Sequence, residues 1–179
     1  MAALDEELAA LMDGAYAAAL DDCWEIWTER LVAALGGSGG SFVIGDERTR
    51  TLTRAAFHSP VSRAIDDYAA GFGALDPQTP AAFAMPAPCV FEDRDYRDNG
   101  AGTREYLSWL RGAIGLDHHV ALQAPLGDGA TRAAVSVYRS VADGPTPTAA
   151  RERFRAIAPE IARALRLGFR HAALLQQSF

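Results

Sequence analysis

Two neighbouring segments in the second half of the chain alternate with the period of a strand. From Leu116 to Leu126, the residues Leu116, His118, Val120, Leu122 and Ala124 fall on one face, and after Gly127-Asp128-Gly129 a partner strand is predicted from Ala130 to about Arg139. Successive strand residues point to opposite faces, so this hairpin needs cover, and it makes an antiparallel sheet the centre of the fold. A second hairpin is expected upstream. Ser41 to Gly45 and Thr51 to Phe57 form its strands, joined by Asp46-Glu47-Arg48.

The cover comes from segments with helical spacing. Leu4, Leu8, Leu11, Ala15 and Ala18 share one stripe. Asp22 and Glu25 form a capping-box signature ahead of Trp24, Trp27, Leu31 and Leu35, and Gly36-Gly37 ends that helix. The run GGSGGS from Gly36 to Ser41 reads as a turn into a strand. Pro60 opens a third helix with the stripe Val61, Ile65, Tyr68 and Phe72, stopped by Gly71 and Gly73. The next stretch holds Pro77, Pro80, Pro86 and Pro88, then EDRDYRDNG. It predicts an irregular crossing with at most one short strand near Cys89 to Phe91. Thr103 is placed to cap a helix carrying Tyr106, Leu107, Leu110 and Ile114, with Trp109 beside the stripe.

From Pro147 onward the pattern is helical to the end. Phe154, Ile157, Ile161, Ala164, Gly168, His171 and Leu175 recur at three and four, which predicts a dimerisation seam, with a kink expected at Pro159. The organisation expected is one domain over 1–179: helices over 3–36, a sheet and helix core over 38–140, and a signalling helix over 147–178. This element order predicts a PAS- or GAF-like α/β (α+β) sandwich, an antiparallel sheet of about five strands covered by helices.

Composition narrows the function. With 49% of 179 residues hydrophobic, the chain can bury a real core, yet no run nears the ~18 apolar residues of a membrane span. The formal net charge of -6 argues against gripping nucleic acid, because phosphate contact needs clustered cations. Acidic residues at Asp5, Glu6 and Glu7 stand where a secretory signal carries positive charge, so a cytoplasmic location is expected. Cys23 and Cys89 are far apart and read as free thiols.

The search for chemistry finds little. GGSGGS has neither the Lys-Ser/Thr ending of a phosphate loop nor the strand-turn-helix setting of a nucleophile elbow. His58, His118, His119 and His171 are scattered, and strand neighbours His118 and His119 cannot share one metal. The acidic run from Asp93 puts Arg104 where a calcium loop needs a bidentate carboxylate. A lone axial histidine for haem stays open as a minor alternative. No catalytic residue, metal site or cofactor is expected.

Phe42, Phe57, Tyr68, Phe72, Trp109 and Tyr138 project from elements around the sheet, either as plain core or as pocket wall. His119 reads as a hydrogen-bonded interior histidine or as a ligand contact. Tyr, Trp and His bring polar tips that need partners when buried, which suits a small-molecule site.

Four phrases carry a resemblance: LMDGAYAAALDDCWEIWTERLVAALGG, YAAGFGALDP, YLSWLRGAIGLDHHVALQAPLGDGATRAAVSVYR and FRAIAPEIARALRLGFRHAALL. In this order they resemble the N-terminal sensory region of LuxR-family helix-turn-helix transcriptional regulators of bacteria. The resemblance implies a non-enzymatic sensor of a small, mostly apolar effector. It also implies a homodimer that signals through its last helix and reaches DNA only through a helix-turn-helix not present here. Tyr68, Phe72 and Asp76-Pro77 resemble the aromatic-aromatic-Asp-Pro stretch of the autoinducer-binding branch, which implies Asp76 as a polar anchor for a ligand amide. A Trp that this branch carries upstream is missing, since the segment here reads PVSRAIDDY. That departure argues against acyl-homoserine lactones and leaves Asp76 open as a turn cap. The competing expectation is a dimerisation or protein-interaction module with no small-molecule ligand.

Overall fold

Five antiparallel strands pair in the order β2-β1-β5-β4-β3, with β1 Gly39–Asp46, β2 Thr51–His58, β3 Cys89–Glu92, β4 Leu116–Leu126 and β5 Thr131–Ser140. The computed structural model describes residues 2–46, 48–49, 51–58, 60–96, 100–127 and 130–177, and all of their side chains except those of 2–5, 101 and 177. Glu47, Asp128-Gly129, residues 97–99, position 178 and the Leu4 side chain therefore lie outside the described residues. Six helices accompany the sheet: α1 Ala2–Asp21, α2 Trp24–Ala34, α3 Ile65–Ala70, α4 Gln78–Ala84, α5 Ala101–Ile114 and α6 Thr148–Gln177. This is the expected α/β sandwich with a long last helix.

The two faces of the sheet differ in chemistry. In one cross-strand row Phe42 pairs with Val135 and Val135 with Leu122, and in the next Val137 pairs with Val120. All five are fully buried in a core shared with α1, α2 and α6. Burying each such side chain contributes about 1.5–3 kcal/mol, so this face is the main source of stability. The glycines of the GGSGGS run make room for α2. A Cβ on Gly40 would lie 2.5 Å from Val32 of that helix, and one on Gly37 would collide with Val137 of β5. The run is therefore a close-packing feature as well as a turn.

The apolar stripe of α6 is used inside its own chain. Phe154 is 0% exposed, Ile157 2%, Ile161 0% and Ala164 0%, all packed in the core with the sheet and α1. Gly168 lies against Ala19 of α1, where an added Cβ would meet backbone 3.0 Å away. The expected dimer seam is thus corrected at these five positions. A three-four apolar repeat says that a helix face is buried, not whether its cover is a partner or its own sheet. Leu175 alone of that set faces solvent, at 51%. The helix runs unbroken through Pro159.

Other local expectations also shift. Asp22 adopts φ 60 in the tight link between α1 and α2, its carboxylate pairs with Arg54, and Cys23 becomes the N-cap without a side-chain bond. The capping box does not form, because the sharp turn takes Asp22 out of capping position. Thr103 sits buried in the first turn of α5 rather than capping it, since that helix starts at Ala101 after Gly100. The helix expected after Pro60 is broken into a 3-10 turn at Val61–Ala64, α3, and a second 3-10 turn at Phe72–Leu75. In the proline-rich crossing, α4 forms with Pro80 inside its first turn, where the missing N–H costs nothing.

Replacing Ile161 with Ala should lower unfolding free energy by about 2–5 kcal/mol in urea denaturation. Ile161→Asp should give an unfolded or aggregated chain. A folded, soluble monomer of Ile161→Asp would mean that the stripe faces outward after all.

Candidate functional site

The second face of the sheet lies under α3, α4, α5 and their 3-10 turns, and it is lined with polar groups. Ser41 pairs with Ser136 and Ser136 with Ala121 in one row, while His119 pairs with Tyr138 in the next. Each of these side chains is one residue away from the apolar row on the opposite face, so strand alternation alone separates the two chemistries.

Two groups of hydrogen bonds run across this layer. The Tyr96 hydroxyl lies 3.2 Å from His119 Nδ1, and His119 Nε2 lies 3.3 Å from Ser136 Oγ. Tyr138 donates its hydroxyl to Gln78 Oε1 at 3.0 Å, and Gln78 Nε2 donates to the Tyr106 hydroxyl at 3.3 Å. Nearby, Tyr68 donates to Asp76 Oδ2 at 2.8 Å, and the Gln78 backbone N–H donates to Asp76 Oδ1 at 2.8 Å. That second bond makes Asp76 the turn cap that opens α4. Buried polar groups of this kind are stable because each finds a partner.

Burial sets the charge states. It pushes the His119 imidazole down to about 3, only partly opposed by Asp93, so the ring is neutral. It raises the Asp76 carboxyl to about 6 against the bonds from Gln78, Tyr68 and Thr79 that favour the anion. Burial likewise lifts the Tyr138 hydroxyl to about 12 and holds those of Tyr68 and Tyr106 well above their ordinary value, with the Asp76 charge adding to each shift.

Aromatic rings complete the layer. Trp109 stacks on Phe72 with centroids 4.6 Å apart and lies 5.5 Å from Tyr106 and 6.3 Å from Tyr68. Outside it, an open groove of about 470 Å³ is lined by Phe72, Trp109, Glu105, Ser108, Gly112 and Ala113.

Six of the eight residues expected to bind ligand, Tyr68, Phe72, Asp76, Trp109, His119 and Tyr138, gather in this layer. Phe57 pairs with Ser41 on the edge strand, on the same face and half-buried. Phe42 does not belong here: it stacks on Trp24 at 5.1 Å in the opposite core. It alternates with Ser41, so the serine takes the inner position and the phenylalanine the far face. Gln78, Tyr96, Tyr106, Ser41 and Ser136 are additional members. Alternation between Val135 and Val137 could have exposed Ser136, whereas nothing in EDRDYRDNG marks Tyr96 as 1% exposed.

The site offers little to catalysis. Ser136 against His119 looks like the start of a nucleophilic pair, but an imidazole held near 3 is too weak a base at neutral pH, and its other nitrogen meets Tyr96 instead of a carboxylate. His118 points elsewhere, 3.2 Å from Asp93. Among the described residues no group of three or more His, Cys, Asp or Glu is placed to hold a metal. Among them, too, no helix is long and apolar enough to cross a membrane.

No protein-family model matches this sequence, and no curated protein matches it. Solved structures do match in fold. CepR2 from Burkholderia cenocepacia, an N-acylhomoserine lactone dependent LuxR family transcription factor, is similar with a TM-score of 0.66 at 16% identity, over 97% of this chain and 99% of that one. The VqsR LBD domain from Pseudomonas aeruginosa gives 0.66 at 14%, over 96% and 99%. SdiA in complex with octanoyl-rac-glycerol gives 0.54 at 15%, over 92% of this chain and 65% of that one. This chain shares their fold. At such identities the likeness speaks for backbone architecture, and the side chains of the site must be read from this sequence alone.

The Asp76 carboxyl ionises at an ordinary value of 3.8 and in the folded chain at about 6, so the fold holds the proton more tightly. The stability this contributes is complete below the lower value and is lost as pH rises through the higher one. Relative to the parent, Asp76→Asn should therefore gain up to ~3 kcal/mol between pH 4 and pH 7, from 1.36 kcal/mol per pKa unit. Urea midpoints at both pH values measure it, and a pH-independent difference would show that Asp76 is solvated.

Proposed function

We propose that this chain is the ligand-sensing module of a LuxR-type bacterial transcriptional regulator and that it performs no catalysis. The observation that carries this reading is the polar hydrogen-bonded layer enclosed between the sheet and α3–α5, on a fold shared with CepR2 and the VqsR LBD domain. A site that recognises a small molecule combines aromatic walls with a few convergent polar groups, which is the make-up of this layer. Phe72, Trp109, Tyr68, Tyr138, His119 and Asp76 form its wall, with Phe57 at the edge.

In this reading the protein is cytoplasmic, and the effector biases the packing of α6, which leads to a separate helix-turn-helix segment that contacts DNA. An effector shifts such an equilibrium only by its difference in affinity for the two states. Homodimerisation belongs to the same reading. With Phe154, Ile157, Ile161 and Ala164 in the core, the pairing surface falls to the exposed apolar positions of α6, Leu167 at 42%, Leu174 at 64% and Leu175 at 51%.

Anything bound only by the folded chain raises its melting temperature. Acyl-homoserine lactones, monoacylglycerols and neutral and anionic aromatics, screened by thermal shift, should yield at least one class that stabilises the chain. Tyr138→Phe should weaken that response. Silence across all classes leaves an interaction module without a ligand. Separately, Leu174→Asp with Leu175→Asp should halve the mass seen by light scattering without loss of melting temperature. An unchanged mass places the pairing surface elsewhere.

A further inference from the structure

We infer that two copies of this chain pair face to face through α1 and α6, about a two-fold axis running along the helices, so that the arginine and leucine ridge of α6 lies on the acidic ridge of the partner's α1; this rests on the homodimer reading above and names its surface.

The first ground is an imbalance of charge. The helix α1 holds five carboxylates and no basic residue, whereas α6 holds six arginines against Glu152 and Glu160. The two helices lie side by side on one face of the sheet and run in the same direction, with Glu7 beside Arg153, Tyr16 beside Glu160 and Ala19 against Gly168. Attraction inside the subunit uses little of this charge. Among the described residues Glu7 with Arg153, at 3.7 Å, is the one ion pair joining α1 to α6, and Asp13, Asp21, Arg166 and Arg170 enter none. Arg163 meets Glu160 of its own helix yet keeps its side chain 64% exposed.

The remaining charges stand in ridges. On α1, Glu6, Ala10, Asp13, Ala17 and Leu20 are exposed at intervals of four, three, four and three, and on α6, Arg163, Leu167, Arg170 and Leu174 are exposed at intervals of four, three and four. Each ridge lies opposite the buried residues of its helix, so the two face away from the sheet as one surface. Leu20 is 53% exposed there, and the neighbouring alanines let a second helix approach closely. At ~1.5 Å per residue and ~10 Å between axes, the surface measures roughly 30 Å by 20 Å. Roughly 600 Å² per copy is the lower end of a specific interface, so complementary charge decides its orientation and its strength.

Symmetry sets the register. A two-fold axis along the helices keeps every residue at its own height and lays α1 of each copy over α6 of the other, an isologous contact. Heights follow from Ala19, which is level with Gly168. Arg163 precedes Gly168 by five residues and Asp13 precedes Ala19 by six, so Arg163 stands within about 1.5 Å of the height of the partner's Asp13. Arg170 and Asp21 each follow by two residues, which makes them level. Between these charge pairs, Leu167 meets the partner's Leu20 within about 3 Å along the axis. A parallel contact of α6 with α6 would instead set Arg163 and Arg170 against their own copies, where like charges repel.

Sedimentation equilibrium of the purified chain tests this. The dissociation constant of the dimer should rise at least tenfold between about 50 mM and about 500 mM NaCl, as screening removes the pairs. Asp13→Arg and Arg163→Asp should each weaken the dimer at least tenfold. The double variant restores opposite charges across the interface and should return to within about threefold of the parent. Should Arg163→Asp fold poorly, Arg170→Glu with Asp21→Arg repeats the exchange at the second pair. A dimer indifferent to salt and to the single variants, or a double variant as weak as the singles, overturns the inference and leaves a dimer built on another surface. A chain that stays monomeric at every concentration and salt overturns the homodimer reading with it.

Discussion

The pairing of β4 with β5 is the constraint on which everything else rests. It places Leu122 beside Val135 on one face and His119 beside Tyr138 on the other, so a single ladder carries both the main core and the polar layer. A sheet buried on both faces cannot slip by one residue, because slippage would exchange the two sets and strand hydroxyls in the apolar core. Register, stability and site are therefore one property of this hairpin.

That arrangement also decides how the site can communicate with α6. The helix lies on the far side of the sheet, and β3 touches both layers. Phe91 reaches His119, with ring centroids 5.3 Å apart, while its neighbour Glu92 accepts from Arg151 of α6 at 3.0 Å. Further along the helix, Tyr16 of α1 donates to Glu160 at 2.9 Å, and Gly168 admits Ala19. The last helix is thus held by its own subunit along most of its length, and only its final turns carry exposed leucines.

Within the polar layer, the balance between burial and pairing sets the chemistry. His119 loses its charge because desolvation outweighs the distant Asp93, whereas Asp76 keeps three donors and still rises. The outcome is a nearly uncharged interior rich in hydroxyls. Such an interior recognises shape and hydrogen-bonding pattern better than charge, and it makes a poor setting for proton transfer.

Much of this was legible in the residues alone. Period-two alternation over Leu116–Leu126 and the charged turn after Ser41–Gly45 gave the two hairpins, while the polar character of the second face emerged only from the structure, because both faces are buried. Helical spacing gave α1, α2, α5 and α6, and YAAGFGALDP pointed to Tyr68 and Asp76. What covers each buried stripe was decided only by the tertiary structure, since a repeat records that a face is hidden and not what hides it. The stripe from Phe154 to Ala164 packs in its own core for that reason, Phe42 takes the opposite face from Ser41, and Tyr96, from an acidic loop, ends beside His119. These are contacts between residues far apart in sequence, and no local pattern encodes them.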